Sequence, residues 1–99
     1  MILHMLINNE IARDYYYNII KPLVEHDKDS NDDLITSLKE YAINQCNVTK
    51  AAKELYIHRN TLTYRLNKIE DILNCNLDNY DIQLSLQLAL KTLESDNLQ

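Results

Sequence analysis

The sequence predicts an all-α fold, a small bundle of about five helices joined by short polar links. The chain contains no glycine and a single proline, whereas small β-rich folds usually need glycine in turns with positive φ. Apolar residues recur every three or four positions along most of its length, which is the spacing of a buried helix face. Ninety-nine residues are enough for one modest hydrophobic core.

The first helix is expected to begin at Asn8 or Asn9, either of which can cap it, and to run to about Ile20. Pro22 is expected to break or restart this helix, because proline is tolerated best in a first turn. Neighbouring residues on a helix point about 100° apart, so three consecutive tyrosines cannot all face inward. Tyr17 is the one expected to be exposed. The predicted apolar face comprises Ile11, Ala12, Tyr15, Tyr16, Ile19 and Ile20.

Capping residues mark the next two helices. Ser30 followed by Asp33 resembles a capping box at the start of a helix that should end near Cys46. Asn47 is expected to cap a short helix over residues 48–55. Two consecutive alanines in this short helix would allow another helix to approach closely.

The last two helices carry apolar stripes. One begins near His58 or Arg59, and His58 is expected either to cap it or to contact a phosphate. Its buried stripe comprises Leu62, Leu66, Ile69 and Leu73. The terminal helix, predicted over residues 80–95, is apolar on two sides. Two explanations are open for it: a second burial partner, either an absent domain or another copy of the chain, or burial at the centre of its own domain. Its apolar sets are Ile82, Leu86, Ala89, Leu90 and Leu93 on one side, and Leu84 and Leu88 on the other.

Positive charge is concentrated in one part of this acidic chain. The net charge is −5, yet residues 47–69 contain five basic side chains and one acidic side chain, a balance of +4. The other residues contain five basic and fourteen acidic side chains, a balance of −9. Charges separated by more than a Debye length of about 10 Å are largely screened, so the local balance governs binding. Residues 47–69 are therefore a candidate surface for nucleic acid.

The face of the fourth helix opposite its leucine stripe is polar and suits a DNA groove. Asparagine can pair with adenine, threonine can contact base edges, and an arginine in the first turn can reach guanine. Asp71 lies on this face at the far end, so the N-terminal half of the helix is expected to enter the major groove. The predicted base contacts are Arg59, Asn60, Thr63, Tyr64 and Asn67. The predicted phosphate contacts are Asn47, Thr49, Lys50, His58, Thr61, Arg65 and Lys68.

The segment from Asn47 to Leu55, followed by the segment from Ile57 to Ile69, resembles the C-terminal helix-turn-helix of the PucR and carbohydrate diacid regulator (CdaR) family of bacterial transcription regulators. It is more distantly similar to the Fis-type helix-turn-helix. The resemblance extends over about residues 9–95, and it implies a sequence-specific domain that binds double-stranded DNA with a recognition helix at about 58–73. Its most specific string is His58-Arg59-Asn60-Thr61-Leu62-x-Tyr64-Arg65-Leu66.

The resemblance also implies partners. Family members usually carry an upstream effector-sensing region, so residues 1–29 are expected to be an N-terminal helical segment that links to such a region. Residues 30–99 are then the helix-turn-helix domain. Met1–Ile7 is expected to be a fragment of a larger strand or helix. Family members are expected to bind as homodimers, on half-sites about one helical turn apart.

One position departs from the general motif. Many helix-turn-helix proteins have glycine in the turn, where this chain has Tyr56. A left-handed backbone at a bulky residue costs about 1–2 kcal/mol. Two explanations are open: packing of the tyrosine ring compensates for that cost, or the turn is wider than usual.

Other functions find little support. His26 and Asp27 are adjacent and point apart on a helix, with no nucleophile evident, so no catalytic residues are expected. Cys46 and Cys75 lack the spacing of a metal site, and no metal or cofactor is expected. No apolar run approaches the roughly 20 residues of a membrane span, so we expect a cytoplasmic chain with no membrane partner. The alternative function is a helical protein-interaction or dimerisation module without DNA binding.

Overall fold

The structure, a computed structural model, describes residues 8–97, with the side chains of residues 8–94. All secondary structure in this range is helical, which confirms the predicted all-α bundle. The prediction for Met1–Ile7 lies outside the described residues. None of the described helices is long and apolar enough to cross a membrane. The five helices are α1 (Glu10–Asp29), α2 (Leu34–Ile43), α3 (Val48–Glu54), α4 (Arg59–Leu73) and α5 (Tyr80–Asn97).

One hydrophobic core joins all five helices. α1 packs along α5, while α2 contacts each of the other helices. Ile20 and Leu23 of α1 are fully buried in the same core as the later helices. Burial of a side chain of this size contributes about 1.5–3 kcal/mol. The buried apolar residues are Ile20, Leu23, Leu34, Leu38, Tyr41, Ala51, Ala52, Leu62, Leu66, Ile69, Leu77, Leu86, Ala89 and Leu90.

The two apolar sides of α5 have different surroundings. Leu86, Ala89 and Leu90 are buried within the chain, so this side needs no second partner. On the other side, Leu84 is 47% exposed. Of the two explanations for the terminal helix, burial in its own domain therefore accounts for the first set of residues but not for Leu84.

Pro22 does not end the first helix, and that prediction is wrong. α1 continues from Glu10 to Asp29 with Pro22 inside it. The proline itself is exposed, whereas Ile20 and Leu23 on either side of it are fully buried. Burial of these two side chains contributes about 3–6 kcal/mol, which offsets the roughly 3 kcal/mol that an interior proline costs.

The buried face of α1 is also rotated from the predicted one. Tyr17, expected from the sequence to be exposed, packs against the core, whereas Tyr15 is 64% exposed and Ile11 is 82% exposed. Ile20 explains the rotation, because residues three and four positions before a buried residue share its side of a helix. Tyr16 and Tyr17 are those residues. The Tyr15 and Tyr16 rings instead meet at nearly a right angle, with centroids 5.1 Å apart.

A side chain of α1 caps α2, in place of the predicted capping box. Asp27 Oδ1 accepts the N–H of Leu34 and Asp27 Oδ2 accepts the N–H of Ile35, both at 2.9 Å. Asp33 precedes the helix but makes no capping bond with its side chain. Ser30 bonds only within its own loop. The predicted box fails because Asp27 brings a carboxylate to the two free N–H groups from a different helix.

Three helices of this glycine-free chain, α2, α3 and α4, are followed by residues with left-handed backbones, whereas Ser30 at the end of α1 is extended. α2 ends at Ile43, earlier than predicted, and is followed by Gln45 and Cys46 at φ 57° and 62°. The Cys46 N–H donates to the Tyr41 carbonyl at 2.8 Å, so these residues close the helix with backbone hydrogen bonds. Asn74, at φ 51°, ends α4 in the same way.

Candidate nucleic-acid interface

α3 and α4 are joined by residues 55–58 and pack against each other as a helix-turn-helix. Asn47 caps α3 as predicted, since its Oδ1 accepts the Lys50 N–H at 3.0 Å. Ala51 and Ala52 are buried, and their small side chains allow the neighbouring helices to approach. The relative position of the two helices is therefore set by a cap at one end of α3 and close packing along it.

The turn contains the left-handed tyrosine that the sequence singled out. Tyr56 has φ 58°, and its side chain is 95% exposed. Packing of the ring therefore does not compensate for the backbone cost. Backbone hydrogen bonds hold the turn instead: the Tyr56 N–H donates to the Lys53 carbonyl and the Ile57 N–H to the Ala52 carbonyl, both at 3.1 Å. This is the usual tight closure of a helix C-terminus.

His58 begins the recognition helix. Its Nδ1 accepts the Asn60 N–H at 3.0 Å, so the ring acts as the N-cap of α4, as the sequence suggested. The ring remains exposed. An exposed imidazole at this position can still approach a phosphate while it holds the first turn of α4 in place.

The outward face of α4 presents every side chain that the sequence predicts to contact bases. Leu62 and Ile69 are fully buried and Leu66 is 7% exposed, so the helix has one inward side. Tyr64, on the other side, is 55% exposed. All five predicted base contacts are exposed: Asn60, Thr63, Tyr64 and Asn67 on the outward face, and Arg59 at its edge in the first turn.

The predicted phosphate contacts fall into two groups. Most are exposed, but Arg65 and Lys68 are half-buried. Arg65 Nη1 donates to Ser37 Oγ at 3.1 Å, and Ser37 is fully buried in α2. Lys68 Nζ lies 5.8 Å from the centroid of the Tyr64 ring. The exposed members are Asn47, Thr49, Lys50, His58 and Thr61.

An acidic side chain lies near these two half-buried cations. The hydrogen bond with His26, whose Nε2 is 2.7 Å from Asp32 Oδ2, holds the pKa of the Asp32 carboxyl below its ordinary value. The charges of Lys68 and Arg65 act in the same direction. Part of the positive potential on this flank of α4 is therefore already balanced by the protein itself.

The C-terminal half of α4 is also held by a carboxylate contact. Glu70 Oε2 accepts the Leu77 N–H at 2.9 Å, which ties the following loop to the helix. An open groove of about 180 Å³ lies beside this half, between Thr63, Asn67 and Asp78. Burial raises the pKa of Tyr41, which also borders the groove, to about 12, and the neighbouring Cys46 and Asp78 contribute.

Three structural roles were not predicted from the sequence. His26 and Asp27 act separately, since one bonds Asp32 and the other caps α2. Ser37 supports Arg65 from a position 28 residues earlier, and helical spacing within a single helix gives no signal for such a contact.

Cys46 and Cys75 are free and half-buried, and burial raises the pKa of the Cys75 thiol. Among the described residues, no group of histidine, cysteine and acidic side chains could hold a metal ion.

Comparisons with known proteins agree with this geometry. The family model described as the PucR C-terminal helix-turn-helix domain matches residues 34–92. The chain is 33% identical over 82 residues to the purine catabolism regulatory protein of Bacillus subtilis. This matched region covers 83% of this chain and 15% of that protein. The chain is also 33% identical over 85 residues to the DNA-binding transcriptional activator AdeR of Bacillus subtilis, covering 86% of this chain and 20% of AdeR. No solved structure matches the chain significantly.

A shorter match of higher identity is with the carbohydrate diacid regulator of Escherichia coli. This match is 50% identical over 40 residues and covers 40% of the chain and 10% of that protein. The chain thus spans between 10% and 20% of the length of these three relatives. The region matched by the family model contains α2, α3 and α4 and most of α5. The chain therefore belongs to the PucR C-terminal helix-turn-helix domain family, the DNA-binding part of transcription regulators.

Proposed function

We propose that this domain recognises double-stranded DNA by placing the N-terminal half of α4 in the major groove. The observation that carries the proposal is the exposed polar face of α4, which lies opposite the buried stripe of Leu62, Leu66 and Ile69. Arg59, in the first turn, has the reach and the donor geometry for guanine O6 and N7, and Asn60 can pair with adenine. Thr63, Tyr64 and Asn67 continue the same face toward the middle of the helix.

Phosphate contacts on both sides of this face would hold the domain in register. Asn47, Thr49 and Lys50 approach one strand from the start of α3, and His58 and Thr61 lie beside the first turn of α4. Arg65 and Lys68 are placed on the flank of α4. Contacts of this kind supply affinity without reading the base sequence.

The biological setting is part of the same proposal. The relatives are regulators several times longer than the matched region, so we propose that residues 30–99 work as the DNA-binding domain of such a protein. Residues 1–29 would connect this domain to an upstream effector-sensing region. We further propose that the domain acts in the cytoplasm, as a homodimer and without catalysis.

A binding assay with two variants tests the proposal. Oligonucleotides selected from a random pool by the wild-type chain would be titrated by fluorescence anisotropy at several salt concentrations. Asn60→Ala is expected to weaken binding to the selected sequence by about 1–3 kcal/mol, because it removes a base contact. It should leave binding to unrelated DNA nearly unchanged. Lys50→Ala is expected to weaken all sequences alike and to reduce the slope of log affinity against log salt by about 1.

The matched control is Lys39→Ala, which removes an exposed charge from α2 rather than from the segment 47–69. It should bind like the wild type. If the wild-type chain fails to bind any DNA at low salt, the interaction-module alternative replaces this proposal.

A further inference from the structure

One side of α1 presents a row of side chains that remains exposed in the folded domain. Ile11 is 82% exposed and Tyr15 is 64% exposed, and Asn18 and Pro22 are exposed on the same side. These positions are separated by four, three and four residues. This is the spacing of the contact seam between two paired helices. We call these four residues the α1 seam.

Two opposite charges flank the seam on its solvent side. Asp14 and Lys21 are both exposed and lie seven residues apart. Seven residues span about 10 Å along a helix, so the two side chains cannot form an ion pair with each other in one chain. In the part of the chain that the structure describes, neither of them has an ion-pair partner.

The seam and its flanking charges are self-complementary when two α1 helices pair in opposite directions. In such a pair Ile11 of one copy faces Pro22 of the other, and Tyr15 faces Asn18. The same register places Asp14 of each copy opposite Lys21 of the other, because both occupy the same heptad position beside the seam. A parallel pair would instead place Asp14 beside Ile19, without an opposite charge. Charge complementarity therefore favours an antiparallel pair of identical chains.

An open groove beside the seam has room for a side chain of a second copy. The groove has a volume of about 450 Å³, and Tyr15, Ile19 and Pro22 form its α1 wall. Ile72 and Ile82 are among the residues that form the other walls. Ile11 of a second copy would face Pro22 and could enter here. The groove lies at the C-terminal end of α4, so pairing at this site would leave the N-terminal half of α4 uncovered.

We propose that the α1 seam is the surface through which two copies of this chain form an antiparallel dimer. The proposal rests on the proposed function in one respect: two paired domains would bind two half-sites together. The association itself follows from the seam, the groove and the flanking charges, and it does not require DNA.

Sedimentation velocity of the 99-residue chain from roughly 1 to 200 μM tests the seam directly. The wild type should form a dimer within this range. Asp14→Lys and Lys21→Asp, each alone, should weaken the dimer about fivefold to tenfold, because every substitution counts twice in a symmetric interface. The double variant that exchanges the two charges should return to within about twofold of the wild type. Only contacts between chains explain such a rescue, since the two residues do not meet within one chain.

Apolar substitutions provide a second measurement. Ile11→Ser should weaken the dimer more than tenfold, whereas Leu84→Ser, at an exposed leucine outside the seam, should leave it unchanged. Circular dichroism should show unchanged helix content in all these variants, because the substituted residues are exposed. A chain that remains monomeric throughout the concentration range would overturn the proposal and would point to an upstream region as the occupant of the seam. Failure of the charge exchange to rescue the dimer would overturn it as well.

DNA binding separates this proposal from the proposed function. The seam variants should bind a single half-site like the wild type but should lose the cooperative gain on two half-sites about one helical turn apart. If the wild type dimerises through the seam but binds neither the single half-site nor the pair of half-sites, the proposed function is wrong and the dimer proposal is supported. If the variants retain full cooperativity on two half-sites, the seam is not the interface.

Discussion

The two halves of α4 differ in how much of their polar surface is already engaged by the protein. In the N-terminal half, Arg59, Asn60 and Thr63 expose their side chains to solvent. In the C-terminal half, Arg65 donates to buried Ser37 and Glu70 accepts from the next loop. The exposed polar side chains of the N-terminal half are available to a ligand, whereas Arg65 and Glu70 in the C-terminal half bind other parts of the protein.

This difference teaches how a small domain can read DNA with a single short helix. A surface that recognises DNA must be held rigidly, because a contact misplaced by about 1 Å contributes much less binding energy. Here the rigidity comes from one half of the helix and from the cap at His58, while the other half is left free. Each of the following predictions tests whether the two halves can be separated in this way.

The largest effect is expected at Arg59. Arg59→Ala should reduce affinity for the selected DNA sequence by about 1–3 kcal/mol, because a bidentate contact to guanine is lost. Its unfolding midpoint should stay at the wild-type value, since the side chain is exposed and supports nothing else. Anisotropy titration and urea denaturation provide the two measurements. A lower midpoint would mean that the N-terminal half also holds the fold.

Substitution of Arg65, unlike that of Arg59, should lower the stability of the folded domain. Arg65→Ala leaves the buried Ser37 hydroxyl without its partner, so it should lower the free energy of unfolding by about 1–2 kcal/mol. Ser37→Ala combined with Arg65→Ala should cost less than the sum of the two single substitutions, because both remove the same bond. Urea denaturation of the three variants completes the cycle. Additive costs would show that the contact contributes nothing to stability.

Tyr56 lies just before the N-terminal half of α4, and its substitution is expected to raise the stability of the domain rather than lower it. Tyr56→Gly removes the left-handed strain but adds freedom to the unfolded chain, so stability should rise by about 0.5–1 kcal/mol. Affinity for DNA should not change, because Tyr56 is outside the predicted contact set. Thermal unfolding and anisotropy measure the two quantities. Tyr56→Ala is the control, since alanine retains the strain and should give no gain.

The last prediction concerns Tyr41, which borders the groove beside the C-terminal half and has no expected effect near neutral pH. Its pKa is raised from 10.0 to about 12 in the folded chain, so the stability linked to its neutral form is fully present below pH 10. That stability is lost as the pH rises from about 10 to about 12. Tyr41→Phe should remove this part of the pH dependence while leaving the slope near neutral pH unchanged. Urea midpoints measured between pH 9 and pH 12 for both proteins would show whether the two curves diverge.

Local contacts were predictable from the sequence, and contacts between helices were not. Asn47 and His58 were identified as caps because each bonds a residue two or three positions away. The stripe from Leu62 to Ile69 followed from helical spacing in the same way. Pro22 was misjudged because its cost is offset by the burial of neighbours against other helices. The residues proposed to contact DNA remain predictions, since they depend on a partner that the sequence does not contain.

The capping of α2 by Asp27 has a mechanical consequence. The two hydrogen bonds of this carboxylate join the last turn of α1 to the first turn of α2. Ser37, one turn further along α2, is joined in turn to Arg65 in α4. Hydrogen bonds weaken steeply once their geometry is disturbed, so a small displacement of α1 must either carry α2 and α4 with it or break these links. α1 is therefore connected by hydrogen bonds, through α2, to the helix that we propose faces the DNA.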